Sequence, residues 1–407
     1  MKKFNKVMSV VMASAMAAAL FAGCGNADAG TQAADSEPAT ESAASEAGGD
    51  SAAAGAFKIG GIGPTTGSAA VYGVAVQNAA QLAVDEINAA GGINGVPIEF
   101  KFEDDECDAE KSVNAYNTLK DWGMQMLMGT VTSGCSVAVS ENTAQDNMFQ
   151  LTPSGSSVDC VKYDNAFRVC FSDPNQGAAS ALYIGENAIA SKIAVIYDSS
   201  DIYSSGIYEK FTAEAANQPF EIVSAEAFTA DNKTDFSVQL QKAKDAGAEL
   251  VFLPIYYTEA SLILSQASTM GYSPIFFGCD GLDGILNVEN FDTSLAEGVM
   301  LLTPFAADAE DELTKNFVTT YKEKFGDTPN QFAADAYDAI YAIKAAGEKA
   351  GITPDMDMSA ICEAMKGAMT EITLDGLTGV GMTWDASGEP NKAPKAVQIK
   401  DGVYTAM

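Results

Sequence analysis

Short apolar runs alternate with amphipathic segments along most of the chain, and this alternation predicts its elements. Residues 57–62 form an apolar run typical of a strand, and residues 72–90 repeat apolar positions at helical spacing before Gly91 and Gly92. The same order recurs in predicted strands at 97–103, 126–129 and 149–152 and predicted helices at 109–122 and 133–145. Repeated β-α-β order predicts a parallel sheet with helices on both faces.

A second series of the same kind begins near residue 166. The apolar run after Lys192 is expected of a strand buried in a parallel sheet. The predicted strands of this series are 166–171, 192–197, 221–227, 249–254, 274–277 and 300–303, and the predicted helices are 176–190, 203–217, 235–246, 257–270, 310–325 and 332–350. Residues 379–384 and 395–399 return to a strand pattern. The chain is therefore predicted to be an α/β protein with two doubly wound parallel-sheet units.

Charge and composition narrow the function. Basic residues number 23 against 55 acidic ones, which gives a net charge of −32. Nucleic acid is a poor partner for such a chain, because its binding depends on basic side chains that neutralise phosphates. The chain has no histidine, so catalytic triads and histidine-metal sites of the usual kinds are impossible. Neither a metal nor another cofactor is predicted.

The first 55 residues differ from the rest. Residues 1–6 are basic and residues 7–23 form an uncharged run, too short for a membrane span, that predicts a signal peptide at residues 1–23. The stretch LFAGC, which ends at Cys24, resembles the lipobox of bacterial lipoproteins and implies cleavage before Cys24 and acylation of its thiol. The alternative is an ordinary signal peptide with a chance cysteine. Residues 24–55 would then be an acylated cysteine and a disordered tether, since 25–55 contain six acids and no basic or aromatic residue.

A glycine-rich turn, GGIGPTTG at residues 60–67, joins the first predicted strand to the first predicted helix. This is the usual setting of a phosphate-binding loop. However, the dinucleotide fingerprint needs a glycine where Thr66 stands, and the P-loop needs a lysine that is absent from residues 60–93. The turn is instead predicted to bring Tyr72 to the rim of a cleft.

Nine stretches, in this order and spacing, resemble the type I periplasmic binding proteins of branched-chain amino-acid ABC transporters. They are IGPTTGSAAVYG (62–73), AVDEINAAGGINGVPIE (83–99), DDECDAEKSV (104–113), GTVTSG (129–134), LTPSGS (151–156), FRVCFSDPNQG (167–177), IYDSSDIYSSG (196–206), IYYTEA (255–260) and FFGCDGLDG (276–284). The resemblance implies two lobes joined by three hinge crossovers, with the ligand held between them. It places residues 56–174 plus 304–380 in the N-terminal lobe and 175–303 plus 381–407 in the C-terminal lobe.

The resemblance also implies a function. Such a protein captures an α-amino acid outside the cell, here a branched-chain or aliphatic one, and docks as a monomer on the permease subunits of an ABC importer. It catalyses no reaction, and it touches the membrane through its lipid anchor alone. Two alternatives stay open: the ligand could be an aromatic amino acid, an amide or urea, and the partner could be a signalling protein. An amidase would need a lysine near the candidate serines, and none lies between Lys120 and Lys162.

Three serines are candidates for binding the ligand carboxylate. Ser133 opens a predicted helix, where its hydroxyl and the first-turn N–H groups face outward from the positive end of the helix dipole. Ser154 and Ser156 follow the next predicted strand. The resemblance assigns all three to the carboxylate. The alternative is that Ser133 only caps its helix and that residues 154–156 form an ordinary turn.

The resemblance assigns the ligand ammonium to Asp280, which follows an apolar strand at the end where ligands of open α/β sheets bind. The best-known members of the family have glutamate there, one methylene longer, and Asp283 is a nearby competitor.

Four aromatic residues match family positions around the ligand. Tyr203 and Tyr256 match tyrosines of the second lobe that close over it, although either could simply pack in the core. Tyr72 and Phe332 match positions in the side-chain pocket, and Val131 and Thr132 supply a further wall. A wall without charge favours aliphatic or other uncharged side chains.

Six cysteines remain if Cys24 is acylated. Cys107 matches a position where the family often has a disulfide, but the usual partner position is Thr132 here, and Cys135 could substitute for it. Cys160 and Cys170 flank a predicted turn and could also pair. The sequence does not determine the connectivity, and all six could be reduced.

Overall fold

The computed structural model describes residues 55–407. The predicted signal peptide, the acylation at Cys24 and all but the last residue of the predicted tether lie outside this range. Within it, no helix has both the length and the apolar character needed to cross a membrane.

Five parallel strands form the sheet of the first lobe, in the order β2-β1-β3-β4-β5. These strands are β1 (Phe57–Gly63), β2 (Ile98–Asp104), β3 (Met126–Gly129), β4 (Phe149–Thr152) and β5 (Ala166–Arg168). All four residues of β3 and of β4 are buried, as expected of central strands covered by helices on both faces.

Seven strands form the sheet of the second lobe, in the order β12-β11-β10-β9-β8-β6-β7. They are β6 (Lys192–Asp198), β7 (Glu221–Phe228), β8 (Leu250–Leu253), β9 (Ile275–Gly278), β10 (Met300–Thr303), β11 (Lys395–Lys400) and β12 (Val403–Ala406). The strands β6 to β10 run parallel, and β11 and β12 add an antiparallel edge.

Ten α-helices cover the two sheets in the described part of the chain. They are α1 (Ala70–Ala89), α2 (Ala109–Trp122), α3 (Ser133–Asp146), α4 (Asp173–Glu186), α5 (Ile202–Ala215), α6 (Ser237–Asp245), α7 (Tyr257–Thr269), α8 (Glu312–Phe325), α9 (Gln331–Ala350) and α10 (Met358–Met369). Helices α8 to α10 return to the first lobe, where α9 packs on α1 and α10 packs on β4. The chain therefore passes between the lobes three times: after β5, after β10 and before β11.

The predicted α/β class with two doubly wound, parallel-sheet lobes is confirmed, but the C-terminal region differs from its prediction. The strand predicted at residues 379–384 is wrong, because this stretch makes only isolated bridges, one between Leu374 and Met382 and one between Trp384 and Pro390. Neither α10 nor β12 was predicted. The predicted lobe bounds stay a prediction, although the Trp384 indole donates to the Arg168 carbonyl of β5 at 2.6 Å, which favours a later boundary.

The loops that carry the predicted site residues lie between the two lobes. In each lobe the loops that follow the carboxyl ends of the parallel strands face the other lobe. Residues 130–133 follow β3, residues 153–157 follow β4, and residues 279–283 follow β9. Ligands of open α/β sheets bind at these strand ends, so the groove between the lobes is where a site is expected.

Candidate functional site

A small cavity lies between the lobes at the carboxyl ends of the strands. It is lined by Tyr72, Val131, Thr132, Ser133, Ser154, Ser156, Tyr203, Tyr256, Asp280, Gly281 and Phe332. The structure thus brings together all eight residues that the sequence predicted as ligand-binding, from both lobes.

The Ser133 hydroxyl oxygen already accepts two hydrogen bonds. Ser133 is the first residue of α3, whose N-cap is Thr132, and its hydroxyl does not bond the amides of its own helix. Instead its Oγ accepts the backbone N–H groups of Ser156 at 3.1 Å and Ser157 at 3.2 Å. Because both lone pairs of the hydroxyl are engaged, its proton is the function left to offer. The Ser156 hydroxyl lies 3.4 Å from that of Ser133, so two hydroxyls stand side by side at the helix N-terminus.

Ser154 is in the opposite state. Its hydroxyl donates to the Val131 carbonyl at 2.7 Å, which uses its only proton. The Ser154 oxygen keeps its two lone pairs, so this hydroxyl can still accept a hydrogen bond but has no proton left to donate. The three predicted serines therefore provide two different functions on the first-lobe wall.

Asp280 forms the polar part of the second-lobe wall. It follows β9 as the first residue of a short 3-10 turn, and only 4% of its surface is exposed. Its Oδ1 accepts the Tyr203 hydroxyl at 2.6 Å, and its Oδ2 accepts the Gln176 side-chain amide at 2.9 Å. No lysine or arginine bonds it among the described residues. Burial raises the pKa of Asp280 to about 7, against the lowering effect of these hydrogen bonds.

The apolar walls of the cavity are aromatic. The Tyr72 ring lies 4.1 Å from the Phe332 ring and 5.6 Å from the Tyr256 ring, centre to centre, and the Tyr203 and Tyr256 rings stack at 5.0 Å. The Tyr72 hydroxyl donates to the Gly281 carbonyl at 2.5 Å and so spans the two lobes. The faces left toward the cavity carry no charge, so this side can take an aliphatic group.

Asp283, the competitor to Asp280, points elsewhere. One of its oxygens accepts the Gln331 backbone N–H at 2.7 Å, at the start of α9, and the residue does not line the cavity. Asp283 therefore links the 279–283 loop to the first-lobe helix α9 by a hydrogen bond.

Sequence reasoning missed Gln176, which clamps Asp280. Its side-chain nitrogen donates to Oδ2, and its side-chain oxygen accepts the Asp280 backbone N–H at 3.2 Å. Gln176 stands in the quoted stretch FRVCFSDPNQG, but the two residues are 104 positions apart, and no local pattern reveals such a contact.

A larger chamber of about 230 Å³ adjoins the cavity and shares Thr132 and Tyr256 with it. Cys107 and Cys135 line this chamber as free thiols, and their hydrogen bond lowers the pKa of Cys107. A disulfide between them stays a prediction. In the part of the chain that the structure describes, no cluster of histidine, cysteine or acidic side chains could hold a metal ion.

Comparison with known proteins identifies the fold and the family. A family model described as periplasmic binding protein matches residues 56–403. The chain belongs to the periplasmic binding protein family. A solute-binding role without catalysis follows from this membership.

This binding protein has similar relatives in several bacteria. It is 32% identical over 341 residues to the Leu/Ile/Val-binding protein homolog 3 of Brucella melitensis, covering 83% of this chain and 90% of that one. It is 29% identical over 318 residues to the leucine-, isoleucine-, valine-, threonine- and alanine-binding protein of Pseudomonas aeruginosa, covering 78% of this chain and 83% of that one.

Solved structures agree with the type I periplasmic-binding-protein fold. The binding protein LivJ of a Streptococcus pneumoniae branched-chain amino-acid transporter, solved with isoleucine, has a TM-score of 0.78 at 29% identity, covering 86% of this chain and 98% of that one. A solute-binding protein from R. palustris in complex with benzoate has a TM-score of 0.77 at 19% identity, covering 87% of this chain and 96% of that one, which shows the fold alone.

Proposed function

We propose that this binding protein captures an aliphatic, branched-chain α-amino acid in the cavity between its lobes and delivers it to an ABC importer. The observation that carries the proposal is that a hydrogen-bond donor and a buried carboxylate lie on opposite walls of one small cavity. One wall offers the Ser133 hydroxyl proton beside the Ser156 hydroxyl, and the other offers the buried carboxylate of Asp280, to which no lysine or arginine of residues 55–407 is bonded. An α-amino acid satisfies both with its own two charges.

The carboxylate of the ligand would lie against Ser133 and Ser156. The Ser133 hydroxyl can act only as a donor once its lone pairs accept the Ser156 and Ser157 amides. Both hydroxyls stand at the N-terminus of α3, where the helix dipole favours negative charge.

The ammonium would lie between Asp280 and Ser154. Each Asp280 oxygen has accepted one hydrogen bond and retains a lone pair for another. Ser154 was predicted to bind the carboxylate, but a hydroxyl that has given its proton to Val131 suits the ammonium better. An ammonium there would also neutralise the buried charge, which is costly while unpaired.

The side chain of the ligand would fill the aromatic pocket. Tyr72, Tyr256 and Phe332 enclose it without a charged group facing the space. The relative from Pseudomonas aeruginosa, named for binding leucine, isoleucine, valine, threonine and alanine, and the Leu/Ile/Val-binding protein homolog of Brucella melitensis support an aliphatic ligand.

An aromatic carboxylic acid is the second candidate, because a protein of the same fold holds benzoate. Asp280 argues against it, since benzoate brings no positive group to oppose a buried carboxylate. A thermal-shift screen separates the two candidates. At a hundred times its Kd a true ligand stabilises the protein by about 2.7 kcal/mol. We expect leucine, isoleucine or valine to raise the midpoint; a shift with benzoate and none with any amino acid would overturn the proposal.

The location and the partner complete the proposal. The lipobox-like stretch before Cys24 supports a lipid anchor outside the cytoplasmic membrane, and the tether of about 31 residues would let the folded part reach about 30 Å from it. The permease subunits of an ABC transporter would receive the closed form. Exchange of Cys24 for alanine should move the protein from the membrane fraction of the cell to the medium or periplasm. Retention in the membrane would contradict the anchor.

A further inference from the structure

Arg168 is the only arginine in the sequence, and its side chain is completely buried. It is the last residue of β5, directly before the first crossover between the lobes. A buried guanidinium is costly unless its N–H groups are bonded. The partners that surround it therefore indicate what it does.

The guanidinium bonds two carbonyls on either side of Ser156. Its Nη1 donates to the Gly155 carbonyl at 2.9 Å, and its Nη2 donates to the Ser157 carbonyl at 2.9 Å. Nη2 also lies 3.2 Å from the Glu389 carboxylate. Arginine suits this task because its planar fork presents parallel donors in a fixed geometry.

The orientation of the Gly155 carbonyl determines where the Ser156 amide points. In a trans peptide the C=O and the N–H point in opposite directions, and the peptide between Gly155 and Ser156 is trans. With the Gly155 carbonyl turned to Arg168, the Ser156 N–H points the other way and donates to Ser133 Oγ. The Ser157 N–H donates to the same oxygen. By orienting the Ser156 N–H toward Ser133 Oγ, Arg168 helps to leave Ser133 with only its proton to offer.

The same residue is tied to the end of the chain. The Arg168 carbonyl accepts the Trp384 indole N–H at 2.6 Å, and its backbone N–H donates to the Gly388 carbonyl at 3.1 Å. Glu389, which pairs with the guanidinium, follows in this segment shortly before the last crossover to β11. The Arg168 side chain therefore links the loop at residues 155–157 to the segment that contains Glu389.

We propose that Arg168 is a positioning residue for carboxylate recognition, which holds the 155–157 loop so that Ser133 presents its hydroxyl proton to the ligand. The inference rests on the proposed function, because it assumes a ligand with a carboxylate. The positive charge contributes as well as the shape, since a carbonyl bonded to a cation polarises its peptide and strengthens the N–H opposite.

A double-mutant cycle tests this role. Arg168→Lys keeps a charge but loses the fork that reaches both carbonyls, and Ser133→Ala removes the donor that Arg168 is proposed to control. Calorimetry with leucine should show a loss of about tenfold or more in affinity for each single variant. The double variant should lose much less than the product of the two losses, because both act on one interaction. If the loss of affinity in the double variant equals the product of the two single losses, Arg168 does not act through Ser133 and the inference is overturned.

Leucinamide gives a readout that a purely structural role does not move. It keeps the ammonium and the side chain but lacks the charged carboxylate. Arg168→Lys should weaken leucine far more than leucinamide, whereas a general disturbance of the fold weakens both alike. Lys120→Met, which breaks an exposed ion pair with Asp146 in the same lobe, is the matched control and should change neither affinity.

The outcomes separate the inference from the proposed function. If the unaltered protein does not bind leucine, the proposed function fails and takes the inference with it. If it binds leucine but Arg168→Lys weakens both ligands equally, only the inference fails. Should thermal unfolding show that Arg168→Lys does not fold, Glu389→Gln removes one of the three partners of the guanidinium. That variant should show the same leucine-selective loss in smaller measure, and equal losses for both ligands would again overturn the inference.

Discussion

Asp280 is buried between the Tyr203 hydroxyl and the Gln176 amide, with no cation bonded to it among the described residues. A carboxylate in such a place is under-compensated until a positive group arrives. The serines of the facing wall are equally one-sided, since Ser133 can only donate and Ser154 can only accept. At the scale of single residues, selectivity for an α-amino acid follows from which protons and lone pairs the fold has already used.

Replacement of Asp280 should abolish tight binding. Asp280→Ala leaves the ligand ammonium desolvated without a counter-charge, which typically costs about 2–5 kcal/mol, or a loss of roughly 30-fold to several thousand-fold in affinity. Calorimetry with leucine measures it. Asp283→Asn is the matched control, because Asp283 is also buried but does not line the cavity. If Asp280→Ala binds leucine with full affinity and Asp283→Asn loses affinity, Asp283 binds the ammonium and the assignment to Asp280 is wrong.

Binding should depend on pH with a definite sign. Burial raises the pKa of Asp280 in the free protein to about 7, and only the ionised carboxylate attracts the ammonium. Below pH 7 the ligand must displace a proton, so affinity should fall by up to about tenfold per pH unit toward pH 5 and level off above pH 7. Calorimetry in two buffers of different ionisation enthalpy should show about one proton released per leucine at pH 6. A Kd that stays constant from pH 5.5 to 8 contradicts this assignment.

Part of the site could be predicted at this scale and part could not. Ser133 and Asp280 follow apolar strands directly, and strand ends are where ligands of α/β sheets bind. Gln176 and Arg168 act through contacts with residues that lie far along the chain or on a neighbouring loop, and no local pattern announces them. The acceptor state of Ser154 depends on the distance to the Val131 carbonyl, which only the folded chain determines.

Among the elements, the crossing of α4 and α5 fixes the second-lobe side of the site. Helix α4 carries Gln176, and α5 carries Tyr203 in its first turn, so both side chains that donate hydrogen bonds to the Asp280 carboxylate come from this helix pair. Glycines make the close approach between the helices possible. A Cβ on Gly177 would stand 2.5 Å from the Ile207 carbonyl oxygen and 2.8 Å from the Phe211 nitrogen, both backbone atoms.

Gly177→Ala should therefore destabilise the protein by about 1–3 kcal/mol, because backbone atoms cannot give way without moving a helix. Gly367→Ala is the control: this glycine is exposed on α10 with no atom within 4 Å of the added Cβ. It should be neutral or stabilise by up to about 1 kcal/mol through helix propensity. Urea unfolding of both variants provides the comparison. Equal stabilities would show that the helix crossing is not tight.

The elements also show where pattern reading stops. The β-α-β series from residue 57 to residue 303 was predictable because most of its strands are short apolar runs and most of its helices have an apolar stripe. The stretch at residues 379–384 has strand-like composition but only isolated bridges, since no neighbouring strand is placed to pair with it. Pairing is a property of the tertiary structure, and residue pattern alone does not supply it.

At the scale of the whole molecule, two lobes meet over a cavity that neither could form alone. The first lobe supplies hydroxyl donors at a helix N-terminus, and the second supplies an acid and two tyrosines. Tyr72 spans the boundary through its hydroxyl bond to the Gly281 carbonyl. A ligand that bonds both walls stabilises the closed arrangement of the lobes, and hinge closure of this kind is what couples binding to recognition by a partner.

The most direct test of the central claim compares leucine with two analogues that each lack one charge. Its α-keto acid keeps the carboxylate and the side chain but has no ammonium, and leucinamide keeps the ammonium but has no carboxylate. Calorimetry on the purified protein should show that leucine binds and that each analogue binds at least about 30-fold more weakly, since each leaves one wall unsatisfied. Binding of the keto acid or of benzoate as tight as that of leucine would contradict the account.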